Sequence, residues 1–310
     1  MTSVSFVIPV YNKSKFLKPV IKSIKSQKGK FKKEYIFIDD GSTDDSYRIL
    51  KQETKGMKDC QIIKQENKGS ANATNQGIKT AKMKYIKFLD ADDLILSDST
   101  KLLVDILEKN SSCILAYGLQ RKVDNIVNVN LNERINNYEI EMIENPTRLA
   151  MRNSMFNPSQ FLVRTSICKS VGGCDERIRF SQEYSLTLRL SKIGPFVKLN
   201  YPIAILPFSA PGQISEKKNN QIFFSNCTKI MARYFGEIDT DKIIIGDEEI
   251  GNNGGKYRKI SYDGQQMKDI QLGASVNDLL RCPFGIEPVS QNAPDKFCFK
   301  VEANDNLTKY

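Results

Sequence analysis

The stretch Tyr85-Ile86-Lys87-Phe88-Leu89-Asp90-Ala91-Asp92-Asp93-Leu94 decides how the rest of the chain is interpreted. A short strand-like run ends there in three carboxylates within four residues. Like charges that close repel one another and raise each other's pKa unless a positive charge lies among them. A divalent cation, bound by oxygen ligands and shared with a substrate phosphate, would supply that charge. The alternative is a solvated acidic turn before a helix that starts near Ser97, because Asp is common at turns and helix starts.

Two earlier strand-like runs also end in polar residues. Residues 4–10 run into Tyr11-Asn12, and residues 34–40 end in Asp39-Asp40. The sequence from the first of these runs to Tyr85 predicts a helix capped by Ser14, a helix through Ile49-Leu50, a strand near 60–63 and a helix over 71–81. Strands that alternate with helices in this way predict βαβ units and an α/β fold with a mainly parallel sheet. Ligands of such sheets bind beyond the carboxyl ends of the strands, so we expect the polar strand ends to meet at one crevice.

Composition narrows the chemistry. The 310 residues allow one large core, or one domain with an appendage. Histidine is absent, which excludes His-based acid–base schemes, Ser-His-Asp triads and most zinc sites. A formal net charge of +10 favours an anionic partner such as nucleic acid, a membrane surface or a phosphorylated substrate. No G-x-G-x-x-G or Walker-type phosphate loop follows the first strand, which argues against nicotinamide cofactors, P-loop binding and a nucleotidyltransferase.

The lysines are unevenly distributed, with nine in residues 1–33 and no acidic residue there. Four of them, Lys15, Lys18, Lys22 and Lys25, are interpreted as a solvated helix face, with a membrane or nucleic-acid patch kept as the alternative. Nucleic acid is disfavoured as a partner because the segment has neither interleaved aromatics nor a known binding module. The seven scattered cysteines and the lack of an export signal predict free thiols and a cytoplasmic location, with contact at the inner face of the membrane left open.

Five sequence blocks, taken in order, resemble the family 2 glycosyltransferases, which adopt the Rossmann-like GT-A fold. Val7 to Asn12 resembles the opening strand of the family, and Ile38 to Asp44 resembles its nucleotide-recognition loop. Asn67 to Gly77 resembles the segment before the metal-binding strand, and Phe88 to Asp93 resembles the D-x-D motif. Residues 172–190, from Gly172-Gly173 through Gln182-Glu183 to Leu190, resemble the segment that carries the catalytic base. The resemblance covers residues 3–210.

This resemblance implies an inverting transfer of a hexosyl or N-acetylhexosaminyl group from a nucleotide-diphosphate sugar, expected to be a UDP-sugar. The acceptor would be a glycan or a lipid-linked glycan in polysaccharide biosynthesis. Residues 1–100 would bind the donor, residues 101–210 would provide the acceptor and catalytic half, and residues 211–310 would form a C-terminal helix and accessory region. The oligomeric state is left open.

The same resemblance assigns the donor site. Tyr11 would pack against the base, Asp40 would accept from its ring N–H, and Asp39 would support the ribose. Asp92 would bind the metal, Mn²⁺ or Mg²⁺, with Asp93 as a second ligand; the metal would offset the charge that gathers on the diphosphate. The other donor-binding residues would be Pro9, Asn12, Lys68, Asn75, Asp90 and Ala91. Thr74 replaces an Arg that the family often has, so Lys13, Lys68 or a later basic residue would meet the phosphates instead.

Glu183 occupies the position where the family usually has the Asp that deprotonates the acceptor. A carboxylate is a suitable general base, although Glu is one methylene longer. The alternative is that Gln182-Glu183 only open an amphipathic helix. Because Thr74 and Gln182-Glu183 depart from the family pattern, a nucleotide-sugar-binding protein with little catalysis is the second functional hypothesis.

Beyond residue 210 the sequence predicts a polar loop over 212–220 and a helix over 222–235 that packs on the core or lies at a membrane surface. Short strands are expected at 242–245 and 297–301.

Overall fold

The computed structural model describes residues 2–133, 138–152, 155–176, 182–208, 243–250, 256–262 and 265–272. The chain divides into two compact units. The first comprises residues 1–146 and 156–213, and the second comprises residues 147–155 and 214–310. Within the described ranges, no helix is both long and apolar enough to cross a bilayer.

The first unit begins with the predicted alternation of strands and helices. Its elements are β1 (Ser3–Val10), α1 (Leu17–Lys25), β2 (Lys32–Asp40), α2 (Ser46–Glu53), β3 (Cys60–Gln65), α3 (Ser70–Thr80) and β4 (Tyr85–Phe88). The four strands pair in parallel in the order β3-β2-β1-β4. The prediction of βαβ units is confirmed.

The sheet becomes mixed after β4. The next elements are β5 (Leu94–Ile95), α4 (Ser99–Lys109), β6 (Leu115–Val123), β7 (Ile140–Ile143), α5 (Thr147–Arg152, in the second unit), a 3₁₀ turn (Pro158–Gln160), β8 (Phe161–Arg164), α6 (Thr165–Ser170), α7 (Gln182–Ser191) and β9 (Phe196–Pro207). The order continues β4-β8-β6-β9-β5, and β7 pairs with β9. Because β8 runs antiparallel to β4, the turn before β8 lies at the carboxyl end of β4.

Apolar residues on both faces of β1 explain its central position. Its buried side chains are Val4, Phe6, Val7, Ile8 and Val10. A strand covered on both faces is typical of a parallel sheet flanked by helices. Helix α1 buries Leu17, Val20, Ile21 and Ile24 at three- and four-residue spacing and leaves Lys18, Lys22 and Lys25 exposed. The interpretation of these lysines as an outer helix face is therefore confirmed.

The predicted cap of α1 is wrong. The helix begins at Leu17, and its N-cap position is Phe16, which has no capping side chain. Ser14 instead donates its backbone N–H to Asp44 Oδ2 at 3.1 Å. Ser14 therefore contacts the loop after β2 and does not cap α1.

The second unit contains a three-stranded antiparallel sheet of β10 (Ile243–Ile250), β11 (Lys256–Tyr262) and β12 (Gln265–Leu272). The strand expected at 242–245 falls on β10. The polar loop at 212–220, the helix at 222–235 and the strand at 297–301 lie outside the described residues.

Candidate active site

The loops that follow β1 and β2 are joined by Asn12. Its side-chain Oδ1 accepts hydrogen bonds from the backbone N–H groups of Thr43 at 2.8 Å and Asp44 at 3.3 Å. Its own N–H donates to Ser42 Oγ at 3.1 Å, and its φ of 51° is left-handed, a conformation that Asn tolerates. Asn12 thus holds the nucleotide loop in place. The neighbouring Tyr11 stays 46% exposed, so its ring is free to pack against a ligand.

The carboxylates at the end of β2 are both buried but differ in their partners. Asp40 Oδ1 accepts from the Gln65 side-chain amide at 2.8 Å and from the Lys68 N–H at 2.9 Å. Among the described residues, its Oδ2 accepts only the Gly69 N–H, at 2.9 Å. A carboxylate oxygen has two lone pairs, so Oδ2 retains capacity for one more donor. Asp39 Oδ2 is buried without a hydrogen-bond partner among the described residues. Such an orphaned oxygen is unusual and fits a site completed by a ligand or water.

The D-x-D stretch is connected to two distant segments. Asp92 Oδ2 pairs with Lys13 Nζ at 2.6 Å. Asp93 Oδ2 accepts the Ser159 hydroxyl at 2.6 Å, and Ser159 Oγ accepts the Asp90 N–H at 3.0 Å. Ser159 lies in the 3₁₀ turn before β8. It was not predicted, because only the antiparallel pairing of β8 with β4 brings it to this position.

A buried lysine lies directly beneath the cluster. Lys87 on β4 is 0% exposed and donates to the carbonyls of Phe88 at 3.1 Å and Ser159 at 2.5 Å. Burial lowers its pKa to about 7, against the opposing influence of Asp93 and Asp90. The sequence contains only a weak indication of this role, a single lysine within an otherwise apolar strand. The structure explains that lysine by its position beneath the carboxylates that follow the strand.

The carboxylates repel one another as expected. Burial raises the pKa of Asp90 to about 7, with further increases from Asp92 and Glu183 and partial compensation by Lys13 and Lys87. Burial, followed by Asp90 and Asp92, raises the pKa of Asp93 well above its usual range. Four carboxyl groups therefore share two ammonium groups, and a divalent cation would balance the difference.

Glu183 lies in the first turn of α7, so the alternative that Gln182-Glu183 open a helix is confirmed. The two interpretations are compatible, because the Glu183 carboxylate also faces the cluster closely enough to raise the pKa of Asp90. Burial raises the pKa of Glu183 itself to about 7, and its backbone N–H acts in the opposite direction. A carboxyl group with this pKa is a stronger base than an exposed one.

Both amide hydrogens of Asn75 are used within the protein. Its Nδ2 donates to the Cys174 carbonyl and to Glu176 Oε1, both at 2.9 Å, and its Oδ1 accepts the Cys174 N–H at 2.7 Å. Because Oδ1 has a second lone pair, the contact of Asn75 with the donor stays a prediction. Asn72, one turn earlier on α3, donates to Glu176 Oε2 at 2.8 Å. Together they hold the loop before the segment that leads to Glu183.

The remaining predicted residues have varied positions. Pro9 is part of β1, and Ala91 is buried between the aspartates of the cluster. Lys68 is exposed, and its contact with Asp40 comes from its backbone.

The ability of the D-x-D carboxylates to bind a metal ion depends on how many of them can contact it together. Among the described residues, no group of three or more His, Cys, Asp or Glu side chains is arranged to hold an ion alone. Mg²⁺ and similar ions are commonly bound by one or two carboxylates plus substrate phosphates. Asp90 and Asp92 fit that role, since within the described structure the Asp90 carboxylate and Asp92 Oδ1 accept no hydrogen bond. Asp93 is 4% exposed and uses Oδ2 to accept the Ser159 hydroxyl, so its role as a second metal ligand stays a prediction.

Comparison with known proteins decides the family. The family model "Glycosyl transferase family 2" matches residues 5–172. The chain belongs to this family. Among family 2 relatives, chondroitin synthase from Escherichia coli is 32% identical over 197 residues, which cover 64% of this chain and 28% of that protein. Poly-beta-1,6-N-acetyl-D-glucosamine synthase from Staphylococcus epidermidis is 36% identical over 108 residues, covering 34% of this chain and 26% of the relative. The chain thus spans about a quarter of either relative's length.

Solved structures show the same GT-A architecture. S. aureus TarS 1–349 in complex with UDP-GlcNAc superposes with a TM-score of 0.60 at 14% identity, covering 78% of this chain and 69% of that one. The mannosyltransferase PcManGT from Pyrobaculum calidifontis, in complex with GDP-Man and Mn²⁺, superposes with a TM-score of 0.57 at 15% identity, covering 74% and 63%. At these identities the likeness concerns the fold. The predicted fold class is confirmed.

Proposed function

We propose that this chain is an inverting glycosyltransferase that moves a sugar from a UDP-sugar to a hydroxyl group of a glycan or lipid-linked acceptor. The observation that carries the proposal is the meeting of Glu183 with the D-x-D carboxylates. Residues 90 and 183 belong to different halves of the domain, yet the Glu183 carboxylate is close enough to raise the pKa of Asp90. A donor-binding group and a basic carboxylate facing one site are the two parts that such a transfer requires.

The donor half is assigned to the ends of β1, β2 and β4. Tyr11 packs on the base, Asp40 Oδ2 accepts the ring N–H, and Asp39 Oδ2 accepts from the ribose. Asp90 and Asp92 hold a divalent cation, Mn²⁺ or Mg²⁺, which when bound offsets the negative charge of the departing diphosphate. Two findings on other proteins support this assignment, since TarS binds UDP-GlcNAc and PcManGT binds GDP-Man with Mn²⁺.

Glu183 is assigned to proton removal. As the acceptor oxygen forms a bond to the anomeric carbon, its proton passes to Glu183, and the bond from that carbon to the diphosphate oxygen breaks. The nucleotide leaves with the electron pair, and the configuration at carbon inverts in a single displacement. The pKa near 7 keeps Glu183 ionised above neutrality while making it basic enough to accept the proton.

The acceptor is inferred from relatives rather than from this site. Two relatives are named for the synthesis of polymers that contain N-acetylhexosamine, chondroitin and poly-β-1,6-N-acetyl-D-glucosamine. A growing polysaccharide is therefore the acceptor to test first, with a hexosyl or N-acetylhexosaminyl donor.

The experiment is a panel of nucleotide-sugars presented with Mn²⁺, with Mg²⁺ and with a chelator. Binding is measured by calorimetry, and turnover is measured as release of nucleoside diphosphate. We expect metal-dependent binding of a UDP-sugar followed by UDP release. Metal-independent binding, or binding of no nucleotide, would overturn the proposal. Binding without turnover in any acceptor mixture, unchanged in Glu183→Gln, would identify a nucleotide-sugar-binding protein instead.

A further inference from the structure

The ion pair between Lys13 and Asp92 differs from the other ion pairs of the described structure. Its side chains are 17% and 11% exposed, whereas the pair of Lys84 and Glu108 is 45% and 36% exposed. The two residues are 79 positions apart, and the pair joins the β1 loop to the D-x-D stretch. A short, largely desolvated pair is stronger than one at the surface.

The backbone of Lys13 is held by the loop, whereas its ammonium group is held by the pair with Asp92. Its N–H donates to Ser46 Oγ at 2.8 Å, and its carbonyl accepts the Phe16 N–H at 2.9 Å. The four methylenes of the side chain remain able to rotate, and the head lies at the edge of the site. Lys13 can therefore change its partner without any change in the loop.

We propose that Lys13 is the internal counter-ion of Asp92, and that the donor's diphosphate takes it over when the metal binds. The inference rests on the proposed function. Without donor, the ammonium occupies the face of Asp92 and competes with a divalent cation for the same carboxylate. With donor, the diphosphate offers Lys13 a new anion, and Asp92 becomes available to the metal. Metal binding is consequently weak until a nucleotide diphosphate is present.

Charge disfavours the binding of both cations to Asp92, although Lys13 contacts only its Oδ2. An ammonium group and a divalent ion on one carboxylate would repel each other at a few ångströms, in a site largely shielded from water. The diphosphate resolves this repulsion because it accepts both cations. Thr74 leaves no cation at its position on α3. Of the two ammonium groups at the cluster, Lys13 is ion-paired with Asp92, whereas Lys87 donates to the backbone carbonyls of Phe88 and Ser159.

The test compares wild type with Lys13→Met. Free Mn²⁺ is titrated by electron paramagnetic resonance without nucleotide, and UDP binding is measured by calorimetry at saturating Mn²⁺. We expect Lys13→Met to bind Mn²⁺ alone about fivefold more tightly, because the competing cation is gone, and to bind UDP about tenfold more weakly. Lys13→Arg, which preserves the ion pair, should keep Mn²⁺ binding weak.

Lys84→Met is the matched control. It removes one positive charge and an ion pair of 2.7 Å at the opposite end of β4, so neither affinity should change. Unchanged or weaker Mn²⁺ binding by Lys13→Met, in a protein whose wild type binds UDP with Mn²⁺, would overturn this inference alone. Failure of the wild type to bind UDP with Mn²⁺ would overturn the proposed function as well.

Discussion

Glu183 combines the catalytic role that we propose for it with an electrostatic cost. Its charged form is disfavoured by burial, and its carboxylate adds to the repulsion around Asp90. A neutral side chain at this position would therefore suit the folded protein better than the native one does. This conflict is typical of residues whose position serves activity.

Replacing Glu183 by Gln should lower the transfer rate about 10²- to 10⁴-fold, because the acceptor proton loses its base. UDP binding should be unchanged. In wild type the rate constant for transfer should fall as pH drops below about 7, since protonation removes the base. Steady-state kinetics from pH 5.5 to 9 would show this limb. A flat profile, or a variant with wild-type rate, would assign the proton transfer to another group.

The same substitution should stabilise the metal-free protein at pH 8. The folded-state pKa of Glu183 is raised from 4.5 to about 7, so the native state loses stability as pH rises through that window. Because the side chain is partly exposed, we expect Glu183→Gln to gain only about 1 to 2 kcal/mol in the free energy of unfolding at pH 8. Urea titrations at pH 8 and pH 4 test this. The gain should vanish at pH 4, where the carboxyl is protonated in both states.

Helix α3 connects the loop at Glu176, which precedes α7, to the end of β2. Its residues 72 and 75 lie one turn apart and hold the two oxygens of Glu176. Gln65 extends this connection, because its amide donates to Asp40 and to Asn72 Oδ1, the latter at 2.9 Å. A continuous row of hydrogen bonds thus links the Asp40 carboxylate, through Gln65 and Asn72, to Glu176 in the loop before α7.

Asn75→Ala should cost about 2 kcal/mol of stability, because the backbone groups of the buried Cys174 lose their partners. Transfer should fall more than UDP binding, since the loop and not the donor loses its support. Urea unfolding and UDP calorimetry separate the two effects. Asn72→Ala is the control, because it removes the side-chain contacts with Glu176 and Gln65 but leaves the backbone groups of Cys174 paired, and it should cost only about 1 kcal/mol. A large loss of UDP affinity in Asn75→Ala would instead support the donor contact predicted from sequence.

The helices and strands of the first half could be predicted from the sequence, whereas the hydrogen bonds between distant segments could not. Periodicity located β1 to β4 and their helices because burial of apolar faces is a local pattern. It could not locate Ser159 beside Asp93 or Cys174 beside Asn75, because these contacts depend on the antiparallel return of β8 and on loop geometry. The wrong cap at Ser14 has the same origin, since a tertiary bond to Asp44 replaced a local one.

At the scale of the molecule, the residues assigned to the donor all lie in the first compact unit. They occupy positions 9 to 92, and Glu183 follows within the same unit. A compact unit with its own core can fold independently. The second unit is then free for an accessory role, as predicted from the sequence for residues 211–310.

A chain ending at residue 213 should therefore fold cooperatively and bind UDP with Mn²⁺ within about twofold of the full chain. Residues 147–155 remain in this shortened chain, so the backbone of the first unit stays continuous. Circular dichroism and calorimetry provide the measurements. Loss of UDP binding by a folded shortened chain would show that the second unit contributes to the donor site.

The exposed ring of Tyr11 has a spectroscopic consequence. The chain contains no tryptophan, so its intrinsic emission comes from tyrosine alone. Tyr11→Trp would place a single indole at the end of β1, beside the loop that Asn12 holds rigid. A nucleobase stacked on that indole would quench its fluorescence, and the signal would come from one position in 310 residues. Arrival and departure of the nucleotide could then be followed in real time by stopped flow, without a label and without turnover.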